Sequence, residues 1–201
     1  VDIKGRERLE GITLARVENG KPIPGTEEFY ECDTLLLSCG LIPENELPET
    51  ATVEMSTLTA GAIVDDSLQA SKEGIFACGN VLHVHDLVDY VSDEAERAGV
   101  GAANFVPCGT KDADYIPTKP GFGVRYVLPQ RFNKNADADV SLFLRVTQPF
   151  DKVKFTVKAG DTVIATAKRL KAAPGEMEKL TIKQELLASI TGEITVSLEE
   201  V

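Results

Sequence analysis

The chain changes character at one junction, and that change limits what it can fold into. Proline and glycine cluster at Pro107-Cys108-Gly109-Thr110-Lys111-Asp112 and again at Pro117, Pro120 and Gly121, a chemistry that resists regular structure and suits a linker. Residues 1–111 carry 8 Lys/Arg against 20 Asp/Glu, a net of −12, whereas residues 112–201 carry 13 against 12, a net of +1. The hydrophobic pattern changes too. Continuous apolar runs and a helical stripe precede the junction, and a period of two follows it. Two domains are expected, 1–113 and 114–201, and the fold class is α/β plus all-β.

With a net charge of −11 over 201 residues, the chain is repelled by phosphate backbones and anionic membranes, which excludes nucleic acid as a general partner. Its longest apolar runs, such as Leu35-Leu36-Leu37, fall far short of the roughly 20 residues a membrane span needs. Val1-Asp2-Ile3-Lys4 shows no charged-then-apolar signal pattern. The absence of an initial Met suggests a processed protein or a cut piece. Four cysteines without tight spacing fit a reducing, cytoplasmic setting. Cys32 and Cys39 lie about 23 Å apart if extended, too far for a disulfide. Cys39 and Cys78 each precede a glycine and read as small buried hydrophobes.

After the junction, Val140, Leu142, Leu144 and Val146 alternate with Ser141, Phe143, Arg145 and Thr147, the mark of a half-buried strand. Val153, Phe155 and Val157 alternate with Lys152, Lys154 and Lys158, so a Lys-bearing face points outward. Ala159-Gly160-Asp161 is a turn into a strand over Thr162–Leu170, giving a hairpin. Further strands are expected at Glu178–Lys183 and Glu193–Glu199, with a helical turn near Glu185–Ser189. Together these make a small β-sandwich-like domain with no visible chemistry.

Before the junction, Ile12–Val17 alternates, Asn19-Gly20 is a turn dipeptide and Phe29–Cys32 is extended. Asp33–Gly40 is continuously apolar at its centre, as expected of a strand covered on both faces in a parallel sheet. A second such strand, Gly74–Cys78, ends in Gly79-Asn80. The loop Val81–Asp86 then leads into a helix over Leu87–Phe105, with Asp86 as N-cap and Val88, Val91, Ala95, Ala98, Ala102 and Phe105 as its apolar stripe. Asp89, Asp93, Glu94 and Glu96 fall on its solvated face, and Glu44, Asn45 and Glu46 form a polar loop. A strand, a glycine, a loop and a helix N-terminus suit a polar ligand, because the first helical N–H groups are free and the dipole is positive there.

These residues carry a likeness. Asp33–Pro43 resembles the glycine-terminated strand found late in the pyridine nucleotide-disulfide oxidoreductases, and Gly74–Asn80 with the following helix resembles their second FAD motif. Cys78-Gly79-Asn80 and His83–Asp89 are similar, more narrowly, to NAD(FAD)-dependent dehydrogenases related to the flavin subunits of hydrogen cyanide synthase, opine oxidase and sarcosine oxidase. The resemblance implies a partial two-dinucleotide-binding, Rossmann-like region, FAD as cofactor and NAD or NADP as its redox partner. Gly79 would let the backbone approach the FAD pyrophosphate and ribityl chain. Asn80, where the class usually has Asp, would hydrogen-bond a ribityl hydroxyl. Leu87 and Val88 would present backbone N–H groups to the flavin pyrimidine edge, and Gly40 would close the other side of the cofactor. No residue stands out as a catalytic acid or base.

The Gly-x-Gly-x-x-Gly fingerprints and any Cys-x-x-Cys are missing, since Gly99-Val100-Gly101 runs to Asn104 and Gly121-Phe122-Gly123 to Tyr126. The chain therefore reads as the C-terminal region of an FAD-dependent, NAD(P)-linked oxidoreductase, completed by a missing N-terminal half or a partner subunit. The alternatives are a non-enzymatic interaction module, with a cofactor-free α/β scaffold and a docking β-sandwich, and a homodimer formed through an exposed apolar surface. His83 and His85 would point the same way if extended, and two imidazoles on one face can begin a metal site with Asp86 or Asp89. With no further His or nearby Cys, the pair reads as loop residues beside the flavin edge, and no metal is assigned.

Overall fold

A computed structural model of the protein describes residues 1–109 and 113–201. The chain divides into two compact units, Val1–Gly40 and Leu41–Val201.

In the first unit, β1 (Asp2–Lys4), β2 (Gly11–Leu14) and β5 (Glu28–Glu31) form an antiparallel sheet in the order β1-β2-β5. Between β2 and β5 lies a two-residue hairpin of β3 (Val17–Glu18) and β4 (Lys21–Pro22). Its turn is Asn19-Gly20, both at positive φ (50° and 76°), the primed geometry that matches strand twist. Asp33–Gly40 is a correction. It forms no strand, and Leu36 and Leu37 are 89% and 76% exposed. A wholly apolar strand needs cover on both faces, and the small antiparallel sheet of this unit offers none.

The second unit begins with α1 (Glu46–Thr50) and an irregular segment held by the isolated bridges Met55↔Ala62, Val64↔Ala70 and Gln69↔Phe76. Gly74–Cys78 contributes to that last bridge and is not a parallel strand, again correcting the expectation. Ile75, Phe76, Ala77 and Cys78 nonetheless pack against a cluster of Val53, Ala62, Val64, Leu68, Ala70, Leu82, Ala98 and Leu128. The long helix α2 (Val88–Cys108) matches the expected span but runs three residues further, so Pro107 and Cys108 belong to the helix. Of the expected linker, residues 110–112 lie outside the described residues. Phe105 meets Phe76 edge-on at 6.2 Å, and a Cβ on Gly101 would stand 2.4 Å from the Ser67 carbonyl oxygen. Only glycine allows the helix that approach.

The rest of this unit is two sheets around one core. β6 (Tyr115–Pro120), β7 (Val124–Leu128), β8 (Arg131–Asn133), β9 (Val140–Val146), β10 (Phe150–Ala159) and β11 (Thr162–Ala172) are followed by β12 (Glu178–Ile182), the helical turn α3 (Gln184–Leu187) and β13 (Ile194–Glu200). Their orders are β11-β10-β13-β6-β8 and β12-β9-β7. Both sheets contribute to a cluster that includes Phe132, Leu142, Leu144, Phe155, Val157, Leu180, Ile194 and Val196. The hairpin through Gly160, the Lys-bearing face of β10 and the strands β9, β12 and β13 agree with the alternation in the sequence. The prolines at 117 and 120 do not mark a linker here. They sit in β6, where Tyr115–Pro117 pairs with β8 and Thr118–Pro120 pairs in parallel with β13, so each neighbour needs only half of the strand. The composition change near residue 113 falls inside the second unit, between its two hydrophobic clusters, with Leu128 as the exception.

Candidate functional site

The polar centre of the second unit lies where the loop after Cys78 meets α2. Gly79 opens a short 3-10 turn, Gly79–Val81, at φ +72°, the left-handed region that favours glycine. Its N–H donates to Glu94 Oε2 at 2.6 Å. Asn45, buried, donates from Nδ2 to the carbonyls of Ala60 (2.7 Å) and Val81 (2.9 Å) and so holds the far side of the turn. The Oδ1 of the exposed Asn80 accepts the backbone N–H of His85 at 3.1 Å, which leaves its Nδ2 free to donate.

His83 and His85 point the same way, as their spacing suggested. Their rings lie 4.3 Å apart at 66°. Both meet one carboxylate, with His83 Nε2 2.9 Å from Glu94 Oε1 and His85 Nε2 3.0 Å from Glu94 Oε2. The His83 and His85 side chains are 1% exposed and Glu94 is 0% exposed. On its other edge His83 Nδ1 lies 3.2 Å from the Tyr126 hydroxyl, which reaches Met177 Sδ at 3.7 Å. Among the described residues, the buried Nδ1 of His85 has no partner.

Burial pushes the Glu94 carboxyl up. Hydrogen bonds from His83 and His85, the His83 charge and the Gly79 N–H outweigh it and hold the carboxyl at about 2. Burial lowers the His83 imidazole below its ordinary value, against the pull of Glu94. Burial, and then the Glu94 charge, raise the Cys78 thiol. That keeps the thiol protonated and unreactive, in line with its reading as a small hydrophobe.

Two sequence expectations are corrected here. Asp86 does not cap α2. Its carboxylate accepts the Met177 N–H (3.2 Å) and Arg145 Nη2 (3.3 Å), while Arg145 also holds the Val84 carbonyl at 2.8 Å and that of Pro174 at 2.9 Å. Leu87 stands at the N-cap position without a side-chain cap. Glu94 is not on a solvated face. The inward row of α2 is Val91, Glu94, Ala98, Gly101 and Phe105, at spacings of three and four, while Val88 and Ala95 are exposed. That row is present in the sequence, but an acid occupies one of its core positions, and a charged residue reads as solvent-facing.

Of the predicted cofactor residues, Gly79 and Asn80 are joined to the site through Glu94 and His85. Leu87 and Val88 follow at the helix start, 52% and 75% exposed. Gly40 closes the first unit at φ +98°, with open space where a side chain would stand. Tyr126, Arg145 and Met177 come from the β-rich half and carried no sequence signal linking them to this loop.

Residues 2–100 match the pyridine nucleotide-disulphide oxidoreductase family. The chain is also similar to the glutamate synthase [NADPH] small chain of Escherichia coli strain K12, 25% identical over 122 residues, which are 53% of this chain and 25% of that protein. The small chain of Halomonas elongata is 27% identical over 121 residues, with the same shares. The chain thus spans about a quarter of the length of the curated relatives it matches. No solved structure matches it. The match to the pyridine nucleotide-disulphide oxidoreductase family is confined to the first half of the chain.

Proposed function

We propose that this chain contributes part of the flavin site of an FAD-dependent, NAD(P)-linked oxidoreductase. The observation that carries the reading is the Gly79-Asn80 turn beside the uncapped N-terminus of a 21-residue helix, inside the region that matches the family. FAD, when bound, would supply the acceptor for a hydride from the nicotinamide.

The residues present fit such a cofactor. Gly79 commits its own N–H to Glu94, so its contribution is a backbone that no side chain shields. Asn80 keeps a donor for a ribityl hydroxyl and holds the His85 backbone with its oxygen. Among the described residues no side chain caps α2. The N–H groups at Leu87 and Val88 are therefore available to stabilise negative charge at a flavin pyrimidine edge. Gly40 is proposed as a further backbone contact. The narrower kinship with the flavin subunits of hydrogen cyanide synthase, opine oxidase and sarcosine oxidase is part of the same proposal, and it rests on the wording Cys78-Gly79-Asn80 and His83–Asp89.

The test is a titration of the intact protein with FAD, followed by quenching of flavin fluorescence. Gly79→Val places a β-branched side chain at φ +72°, a conformation such residues scarcely adopt. It is expected to abolish binding. Undiminished FAD affinity in a folded Gly79→Val protein would remove this turn from the flavin site.

A further inference from the structure

We propose that His83, His85 and Glu94 form a binding site for one divalent first-row transition metal ion of the zinc type. The donor set is two imidazole nitrogens and a carboxylate whose ligating atoms all lie within 4.8 Å of one another. Two ligands each about 2.1 Å from a shared tetrahedral ion stand about 3.4 Å apart, a few tenths of an ångström more than here. The separations here are 2.9 and 3.0 Å.

Hydrogen bonds give similar separations, and the Tyr126 hydroxyl, 3.2 Å from His83 Nδ1 and 3.7 Å from Met177 Sδ, can donate to either one, so the metal titration below distinguishes a bound ion from a hydrogen-bonded triad.

The surroundings match those of a ligand set. His83 is oriented by a hydrogen bond on its far nitrogen, and Glu94 is fixed by the Gly79 N–H at 2.6 Å, the kind of support that metal ligands receive from their neighbours. Glu94 projects from a long helix, so its position is rigid. The nearby Arg145 is committed to Asp86 and to two backbone carbonyls. The unpartnered Nδ1 of His85 is the same with or without an ion and decides nothing. Imidazole with carboxylate suits zinc, iron(II) or similar ions, whereas calcium and magnesium prefer all-oxygen sets.

The proposal stands apart from the flavin reading, since metal binding can be read without FAD. The protein is stripped with chelator and titrated with Zn²⁺ by calorimetry, and with Co²⁺ by its visible absorption. One equivalent is expected to bind. X-ray absorption of the zinc form is expected to show nitrogen and oxygen neighbours with imidazole scattering and no sulfur. Glu94→Gln and His85→Phe should each weaken binding by about 100-fold or more, and Tyr126→Phe by about 10-fold, as for an outer-shell partner. His85→Phe keeps the buried volume and carries the test if Glu94→Gln does not fold. Absence of saturable binding to the unaltered protein would overturn the proposal. So would binding that survives His85→Phe unchanged, because it would then belong to the free cysteines.

Discussion

The sandwich core and the irregular core beside it solve one problem by different means. In β9 and β10 the backbone groups are paired in ladders, so residues such as Val153, Phe155 and Val157 can be apolar and wholly buried. Between α1 and the turn at Gly79 the chain has only isolated bridges; turns pair many of its N–H and C=O groups with one another, and the remaining buried ones must find side chains. Asp65 Oδ1 accepts the N–H groups of Ser67 and Gln69. Gln130 accepts that of Val64, Asn45 donates to two carbonyls and Glu94 accepts that of Gly79. Where regular pairing is missing, buried polar side chains replace it. Those same side chains give the irregular core its chemistry.

The comparison can be broken at its two centres. Glu94→Leu removes the shared partner of two histidines and a backbone N–H, and is expected to cost about 3–5 kcal/mol. Phe155→Ala in the sandwich should cost a similar amount through its cavity. Urea denaturation of each variant measures both. A loss under about 1 kcal/mol for Glu94→Leu would mean that the polar centre does not hold the irregular core.

Acid sharpens the difference. A carboxyl held at about 2 in the folded chain, against 4.5 ordinarily, contributes stability that is fully present above the ordinary value. That contribution is lost as pH falls from there toward 2, on the order of 3 kcal/mol. His83, lowered by burial, acts with the same sign, because its protonation also favours the unfolded chain. Metal-free protein should therefore lose stability steadily on acidification, and Glu94→Gln should flatten the curve below about pH 4.5.

Smaller effects follow. Asn45→Ala leaves the Ala60 and Val81 carbonyls without their donor and is expected to cost about 1–3 kcal/mol, read as a shift in the urea midpoint. Leu36→Ser should change stability by no more than about 0.5 kcal/mol, since that side chain is 89% exposed. A larger loss in thermal unfolding would show that Leu36 is covered in solution.

Much of the sandwich was legible because alternation is a local signal. Val140 to Val146 and Val153 to Val157 each announce a face without reference to their partners. The prolines of β6 hid a strand, because what permits them is its divided pairing with β8 and β13. Leu35-Leu36-Leu37 and Ile75-Phe76-Ala77 look alike in sequence. The second packs against Val64, Leu68 and their neighbours, while the first has no cover within its own unit. An apolar run records a tendency to be buried, and only the surrounding structure decides whether it is. In the candidate site, the common direction of the histidine pair was visible from spacing, while the roles given to Gly79 and Asn80 came from the family resemblance. Glu94 sat in the inward row of its helix, but its charge concealed it. Tyr126 and Met177 lie more than 40 residues away along the chain and could be found only by folding it.

The most direct test of the flavin assignment is the flavin content of the intact protein as purified, read from its absorption spectrum and from the cofactor released on denaturation. The account predicts a yellow protein that carries FAD in stoichiometric amount, or takes it up to that level when supplied. A folded, intact protein that is colourless and takes up no FAD would contradict it.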